Sequence, residues 1–187
     1  MPDVIRNTRD AWGSPVKFLH WAVALLVLAQ FPLGWAAVTW RLSPLKLDLF
    51  VWHKSIGISI LALMVVRLMW RLANQVPALP KTIPAWEGRA ARLGHFLLYA
   101  MLFAMPLSGW VVNSAANIPF RIFWRVPLPS IGGPDKVIAA LSARVHLILF
   151  IGLAALLLLH IVAALRHHLT RRNNVLVRML PRLWGYL

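Results

Sequence analysis

The chain has 187 residues, of which 60% are hydrophobic and only 13% are charged. This composition is typical of an integral membrane protein and excludes an ordinary soluble domain. The net charge of +15 does not indicate nucleic-acid binding, because the basic residues flank apolar segments instead of lining one polar face. Cysteine is absent, which excludes iron–sulfur clusters, thioether-linked heme and disulfides held by this chain.

Four apolar segments of about 20 residues are each long enough to cross a bilayer. They cover residues 18–40, 52–72, 93–113 and 145–167. They predict an all-α, integral membrane four-helix bundle that forms a single domain over residues 1–187. A loop rich in Pro and Gly over residues 118–135 is expected between the third and fourth spans, followed by a short surface helix over residues 135–144. Pro32 and Pro106 are expected to kink the spans that contain them.

The basic residues are unevenly divided between the two sides of these spans. Thirteen of the 20 Lys and Arg residues, Lys81 and Arg182 among them, fall on the side of the chain termini. The positive-inside rule therefore predicts that both termini are cytoplasmic. The seven on the outer side are either tolerated there or attract a small anion; they are Arg41, Lys46, Lys54, Arg121, Arg125, Lys136 and Arg144.

His146 and His160 are fourteen residues apart in a stretch that carries no Asp, Glu, Lys or Arg from residue 145 to residue 165. An ionisable side chain at membrane depth is costly and usually functional. Fourteen helical residues rise roughly 21 Å and turn about 1400°, close to four full turns. Both imidazoles should therefore lie on one helix face, one near each leaflet. This spacing favours a helix that holds one metal centre near each membrane surface.

The other histidines supply a partner at each depth. His53 begins the second span on the outer side and can face His146, while His20 begins the first span on the inner side and can face His160. Two imidazoles that face each other across a bundle form a natural site for heme iron. His95 begins the third span on the inner side and competes with His20. It is a ligand, a hydrogen-bond donor to a propionate or quinone, or a helix cap.

Further residues at these depths favour heme over other metal centres. No carboxylate lies within the predicted spans, which argues against zinc, di-iron and proton-pumping sites. Arg67 lies fourteen residues after His53, so it needs an anion near the inner site, either a heme propionate or a lipid phosphate. Gly34 and Gly109 would let a porphyrin approach the backbone. His167 and His168, beside Arg166, are expected to be solvated.

The chain resembles the bacterial four-helix diheme cytochrome b561 family, whose members include enzymes that oxidise superoxide and reduce ubiquinone. The resemblance covers roughly residues 15–182. It rests on the His146–His160 pair and on the segments FLHWAVALLVLAQF, HKSIGISILALMVVRLMWRL, LGHFLLYAMLFAMPLSGW, LRHHL and NVLVRMLPR.

The resemblance implies two heme b groups in a multi-pass protein of the bacterial inner membrane. It implies that His20 and His160 ligate the inner heme and that His53 and His146 ligate the outer heme, which favours His20 over His95. Superoxide would be oxidised on the periplasmic side and ubiquinone reduced in the membrane. Under this interpretation Arg121, Arg125 and Lys54 would attract the anion to the outer heme.

A second function stays open because related membrane cytochromes serve hydrogenases and formate dehydrogenases. Such a subunit only carries electrons, and it receives them from an attached iron–sulfur protein. The expected partners are then the lipid bilayer, a quinone and either superoxide or a periplasmic electron donor, with a redox protein as a further partner.

Overall fold

The computed structural model describes residues 5–9, 11–80 and 83–180. Within these residues the chain forms four long helices, each apolar enough to cross a membrane. The helices are α1 (Ser14–Thr39), α2 (Pro44–Ala73), α3 (Ala85–Ala115) and α4 (Lys136–Leu169). The predicted all-α, four-helix membrane architecture is therefore confirmed. Lys81 and Arg182, which entered the count of inner basic residues, lie outside the described residues.

Helices α2 and α4 extend beyond the predicted spans, and side chains outside the apolar segments cap both of them. The Ser43 hydroxyl accepts a hydrogen bond from the Lys46 amide at the start of α2. The Asp135 carboxylate accepts from the amides of Val137 and Ile138 at the start of α4, at 2.7 and 3.0 Å. Such caps satisfy backbone donors that would otherwise lack partners. The separate surface helix expected over residues 135–144 is therefore wrong, because this segment is the first part of α4.

The helices run alternately in opposite directions. The end of α1 lies against the start of α2 and the end of α3 against the start of α4, as the contacts of Gly34 with His53 and of Gly109 with His146 show. We term this side of the bundle the hairpin end. At the opposite side, termed the termini end, the Trp21 indole near the start of α1 donates to the Met179 carbonyl. A small apolar core lies between the two ends, comprising Val23, Val27, Ile60, Met64, Leu98, Leu102 and Leu153.

Two short strands give the hairpin end its name. β1 (Arg121–Ile122) pairs antiparallel with β2 (Val126–Pro127). In the three-residue turn between the strands, Phe123 and Trp124 have φ angles of 47° and 62°, a conformation that large side chains rarely adopt. The turn is held against α2 because both rings pack edge-on against Trp52, and the Phe123 amide donates to the buried Ser55 hydroxyl at 2.8 Å. The hairpin therefore lies over the start of α2.

A buried carboxylate joins α3 to α4 at the termini end. Glu87, in the first turn of α3, is only 7% exposed and pairs with Arg166 and Arg171, each at 3.4 Å. His167 Nε2 lies 3.6 Å from the same carboxylate, and its Nδ1 contacts the Asn173 amide. The expectation that His167 is solvated is therefore wrong, because this acidic partner lies 80 residues earlier in the chain. His168 is exposed, as expected.

Candidate functional site

At the hairpin end, α2 and α4 bring His53 and His146 together. Their ring centroids are 6.3 Å apart and the ring planes are nearly perpendicular, at 81°. A metal ion bound about 2 Å from one nitrogen of each imidazole separates the ring centres by about 6 Å. The two histidines paired by sequence spacing thus have the separation that one iron between two imidazoles requires.

A glycine lies against each of the two imidazoles at this end. A Cβ atom on Gly34 would lie 2.9 Å from Cε1 of His53, and one on Gly109 would lie 3.1 Å from Cε1 of His146. A side chain at either position would therefore displace the ring. The sequence indicated that these glycines admit a porphyrin to the backbone, and the structure gives them direct contact with the histidines.

The two histidines at the hairpin end differ in their hydrogen bonds. Nδ1 of His146 lies 2.8 Å from the Ser108 hydroxyl, which also lies 2.7 Å from the Met105 carbonyl. The buried Nδ1 of His53 has no hydrogen-bond partner. The Gln30 amide donates to the His53 carbonyl at 2.8 Å. Ser108 and Gln30 were not identified from the sequence, although each is a polar residue inside an apolar span.

At the termini end, α1, α3 and α4 bring three histidines together. His20 and His160 have ring centroids 6.3 Å apart, the same separation as at the hairpin end. His95 also lies beside His160, with ring centroids 5.6 Å apart. Both candidates from the sequence therefore contact His160. Across residues 5–9, 11–80 and 83–180, no group of three or more His, Cys, Asp or Glu side chains is arranged to hold one metal ion, so pairs are the relevant unit.

Arg67 places a positively charged guanidinium beside His20, and no acidic side chain among the described residues pairs with it. Its Nη2 lies 3.0 Å from Nδ1 of His20, its guanidinium stacks on Tyr99, and its buried Nε has no hydrogen-bond partner. All salt bridges found among the described residues involve Glu87, not Arg67. A guanidinium whose buried Nε lacks a partner fits an anionic group such as a propionate, which can accept two hydrogen bonds from it.

A cavity of about 680 Å³ opens beside these side chains. It has the size of an ordinary ligand or cofactor site, and most of its lining is apolar. The polar side chains that line it are mainly cationic or aromatic, and include His20, Arg67, Arg71, Arg92, His95, Tyr99, His160 and Arg178. The cavity thus offers an apolar wall for a flat ring, imidazoles for its metal, and guanidinium groups for its carboxylates.

The three residues proposed to steer an anion differ in exposure. Arg121 and Arg125 are exposed on the hairpin. Lys54, next to His53, is only partly exposed, because its ammonium lies 2.6 Å from Oδ1 of Asn113 and over the ring of Phe120. In the part of the chain that the structure describes, no carboxylate forms a salt bridge with any of the three. Their positive charge is therefore not neutralised locally.

Comparison with known proteins decides the family. A family model described as prokaryotic cytochrome b561 matches residues 11–182. The chain belongs to the prokaryotic cytochrome b561 family. It is 32% identical to cytochrome b561 homolog 2 of Escherichia coli K12, with 93% of each chain covered. It is 29% identical to the probable superoxide oxidase CybB of Yersinia pestis, covering 89% of this chain and 94% of the relative. Cytochrome b561 homolog 1 of Escherichia coli K12 is also 29% identical.

Membership of the cytochrome b561 family confirms the class of chemistry. Proteins of this family bind b-type heme and transfer electrons within the membrane. With four helices of membrane-spanning length, the chain is a multi-pass protein of the bacterial inner membrane. Three features fit heme b as the bound group: the paired imidazoles, the glycines beside them, and Arg67, which has no salt bridge among the described residues.

Proposed function

We propose that the chain is a diheme cytochrome that oxidises superoxide at the hairpin end and reduces ubiquinone in the membrane. The observation that carries this proposal is the pair of matched imidazole contacts at opposite ends of the bundle, each 6.3 Å between ring centroids. One helix, α4, supplies a histidine to both pairs. Two centres at different membrane depths provide a route for electrons across the bilayer, which a single centre does not.

We assign residues to each centre on the basis of these contacts. His53 and His146 would hold one heme b, and His20 and His160 would hold the other. When bound, each heme supplies an iron atom that accepts and releases one electron. A metal-bound histidine normally keeps its proton on the second ring nitrogen, so Arg67 must release Nδ1 of His20. A propionate is the acceptor that the guanidinium would take instead.

The sidedness is part of this proposal. With the chain termini in the cytoplasm, the hairpin end faces the periplasm, together with Lys54, Arg121 and Arg125. Superoxide is a monoanion, so uncompensated positive charge raises its encounter rate. Each superoxide loses one electron and leaves as O₂, a step that needs no general base. Two such electrons and two protons convert ubiquinone to ubiquinol. The Yersinia relative, named as a probable superoxide oxidase, supports this choice of donor.

Reversing the charge of the hairpin tests the steering role directly. The double variant Arg121→Glu and Arg125→Glu should slow superoxide-driven ubiquinone reduction on the order of tenfold at low ionic strength. The difference should nearly vanish in 1 M salt, where the screening length falls to about 3 Å. The measurement is the initial rate of ubiquinol formation by the purified, heme-loaded chain in liposomes, at a series of salt concentrations.

The matched control makes the same change of charge at the termini end. Arg6→Glu with Arg89→Glu alters two exposed arginines far from the hairpin and should leave the rate unchanged. Equal slowing in both double variants, or slowing that is insensitive to salt, would contradict steering. Failure of the wild-type chain with both hemes to reduce ubiquinone with superoxide would reject the enzymatic function. That result would favour an electron-transfer subunit docked to a dehydrogenase or hydrogenase.

A further inference from the structure

The hydrogen bonds of Ser108 and the neighbouring Met105 carbonyl indicate which nitrogen of His146 carries a proton. The Ser108 hydroxyl has one proton and two close partners, the Met105 carbonyl at 2.7 Å and Nδ1 of His146 at 2.8 Å. A carbonyl can only accept, so the hydroxyl must donate to Met105. The hydroxyl oxygen then accepts from Nδ1–H of His146. This tautomer leaves the lone pair on Nε2 free.

A free lone pair on one nitrogen and a donated proton on the other are what a metal-bound histidine requires. The next residue along α3, Gly109, lets the backbone approach Cε1 of the same ring. One hydrogen bond and one close backbone contact, from consecutive residues, therefore fix the tautomer and the position of the imidazole. The ring of His146 is thus prepared to bind iron before iron arrives.

His20 on α1 and His53 on α2, which we also propose as heme ligands, lack this arrangement. Nδ1 of His53 has no hydrogen-bond partner, and Nδ1 of His20 faces Arg67, which can only donate. An acceptor on Nδ1 makes the imidazole a stronger electron donor to its metal and favours the more positive oxidation state. Among these three proposed ligands, His146 therefore differs from His20 and His53 in having an acceptor, Ser108, at its Nδ1.

We propose that Ser108 is a positioning residue that orients His146 and lowers the reduction potential of the hairpin-end heme. This inference rests on the proposed ligation of that heme by His146. A lower potential at this end favours onward transfer of each electron toward the termini end. Neither of the residues that Ser108 contacts is on the exposed surface of the hairpin, so its effect is separate from anion steering.

The test is a redox titration of three variants, with the two hemes resolved by their visible spectra. Ser108→Ala should raise the potential of the hairpin-end heme, leave the other heme unchanged, and release the hairpin-end heme to apomyoglobin about tenfold faster. Ser108→Thr keeps the hydroxyl and should restore both values. The control is Ser59→Ala, which removes a hydroxyl that donates only to the Ser55 carbonyl of its own helix.

Two outcomes would overturn the inference. In the first, the hairpin-end heme has the same reduction potential in Ser108→Ala as in Ser59→Ala. In the second, the reduction potential and the rate of heme release in Ser108→Thr equal those in Ser108→Ala. The hairpin-end heme is identified as the one missing from His53→Ala, so the comparison does not depend on His146 itself. If the wild-type chain binds no heme, the proposed function fails as well. If it binds two hemes and their reduction potentials do not change when Ser108 is replaced, only this inference fails.

Discussion

Replacing His53 or His146 with alanine removes the same heme and leaves the other in place. The expected loss is complete, from two hemes per chain to one, because a single imidazole cannot supply both axial ligands of a six-coordinate iron. The two side chains come from different helices, 93 residues apart in sequence, and meet only at the hairpin end. Heme content by pyridine extraction and the reduced-minus-oxidised spectrum measure the result.

His168→Ala is the matched control for these variants. His168 lies on α4 like His146, but it is exposed beyond both histidine pairs, so this variant should retain two hemes. Spectra show which heme is lost, since the remaining absorption bands should coincide in His53→Ala and His146→Ala. Loss of different hemes in these two variants would show that the assigned pairing is wrong.

Replacing His20 removes the second heme, whereas replacing His95 leaves both in place. Both side chains contact His160, but only the His20 contact repeats the 6.3 Å separation found at the hairpin end. The 5.6 Å separation of His95 from His160 leaves less room for an iron atom and its two bonds of about 2 Å. We therefore expect that His95 would not be an iron ligand.

Heme content and the bis-histidine spectrum of His20→Ala, His95→Ala and His160→Ala distinguish the two assignments. The first and third variants should give one heme per chain and identical remaining spectra. His95→Ala should give two hemes with low-spin spectra. One heme in His95→Ala together with two in His20→Ala would transfer the ligand role to His95.

The sequence was sufficient to predict the four helices and the meeting of His53 with His146. At the other end it left His20 and His95 as alternatives, and both lie beside His160. Apolar segments of membrane-spanning length mark the helices, and the interval of fourteen residues places His146 and His160 on one face of α4. Helix ends were less predictable, because Ser43 and Asp135 extend α2 and α4 past the apolar sequence. Hydropathy does not register such caps.

The hairpin and the contacts between distant residues could not be predicted from local patterns. Three residues connect β1 to β2, and two of them, Phe123 and Trp124, have positive φ angles that are more typical of Asn and Gly. Packing on Trp52 stabilises these two residues. The hydrogen bond between Ser108 and His146 joins residues 38 positions apart. The ion pair between Glu87 and Arg166 joins residues 79 positions apart. Neither pair shares a spacing that a single helix would reveal.

Under the proposed function, the two ends of one helix have separate tasks. The first half of α4 carries His146 beside the Ser108 hydroxyl, at the hairpin end of the bundle. The second half carries His160 beside a cationic cavity and ends at the ion pairs of Glu87. Electron entry at one end and quinone reduction toward the other would then use a single continuous element to fix the distance between the two centres.

The most direct measurement is the number of b-type hemes per chain in the purified protein. Pyridine extraction gives the heme concentration, and quantitative amino-acid analysis gives the chain concentration. Two histidine pairs at opposite ends of the bundle predict two hemes per chain, each with a low-spin bis-histidine spectrum. A value of one in protein saturated with heme would contradict the diheme assignment, and a value of zero would reject heme binding by both pairs.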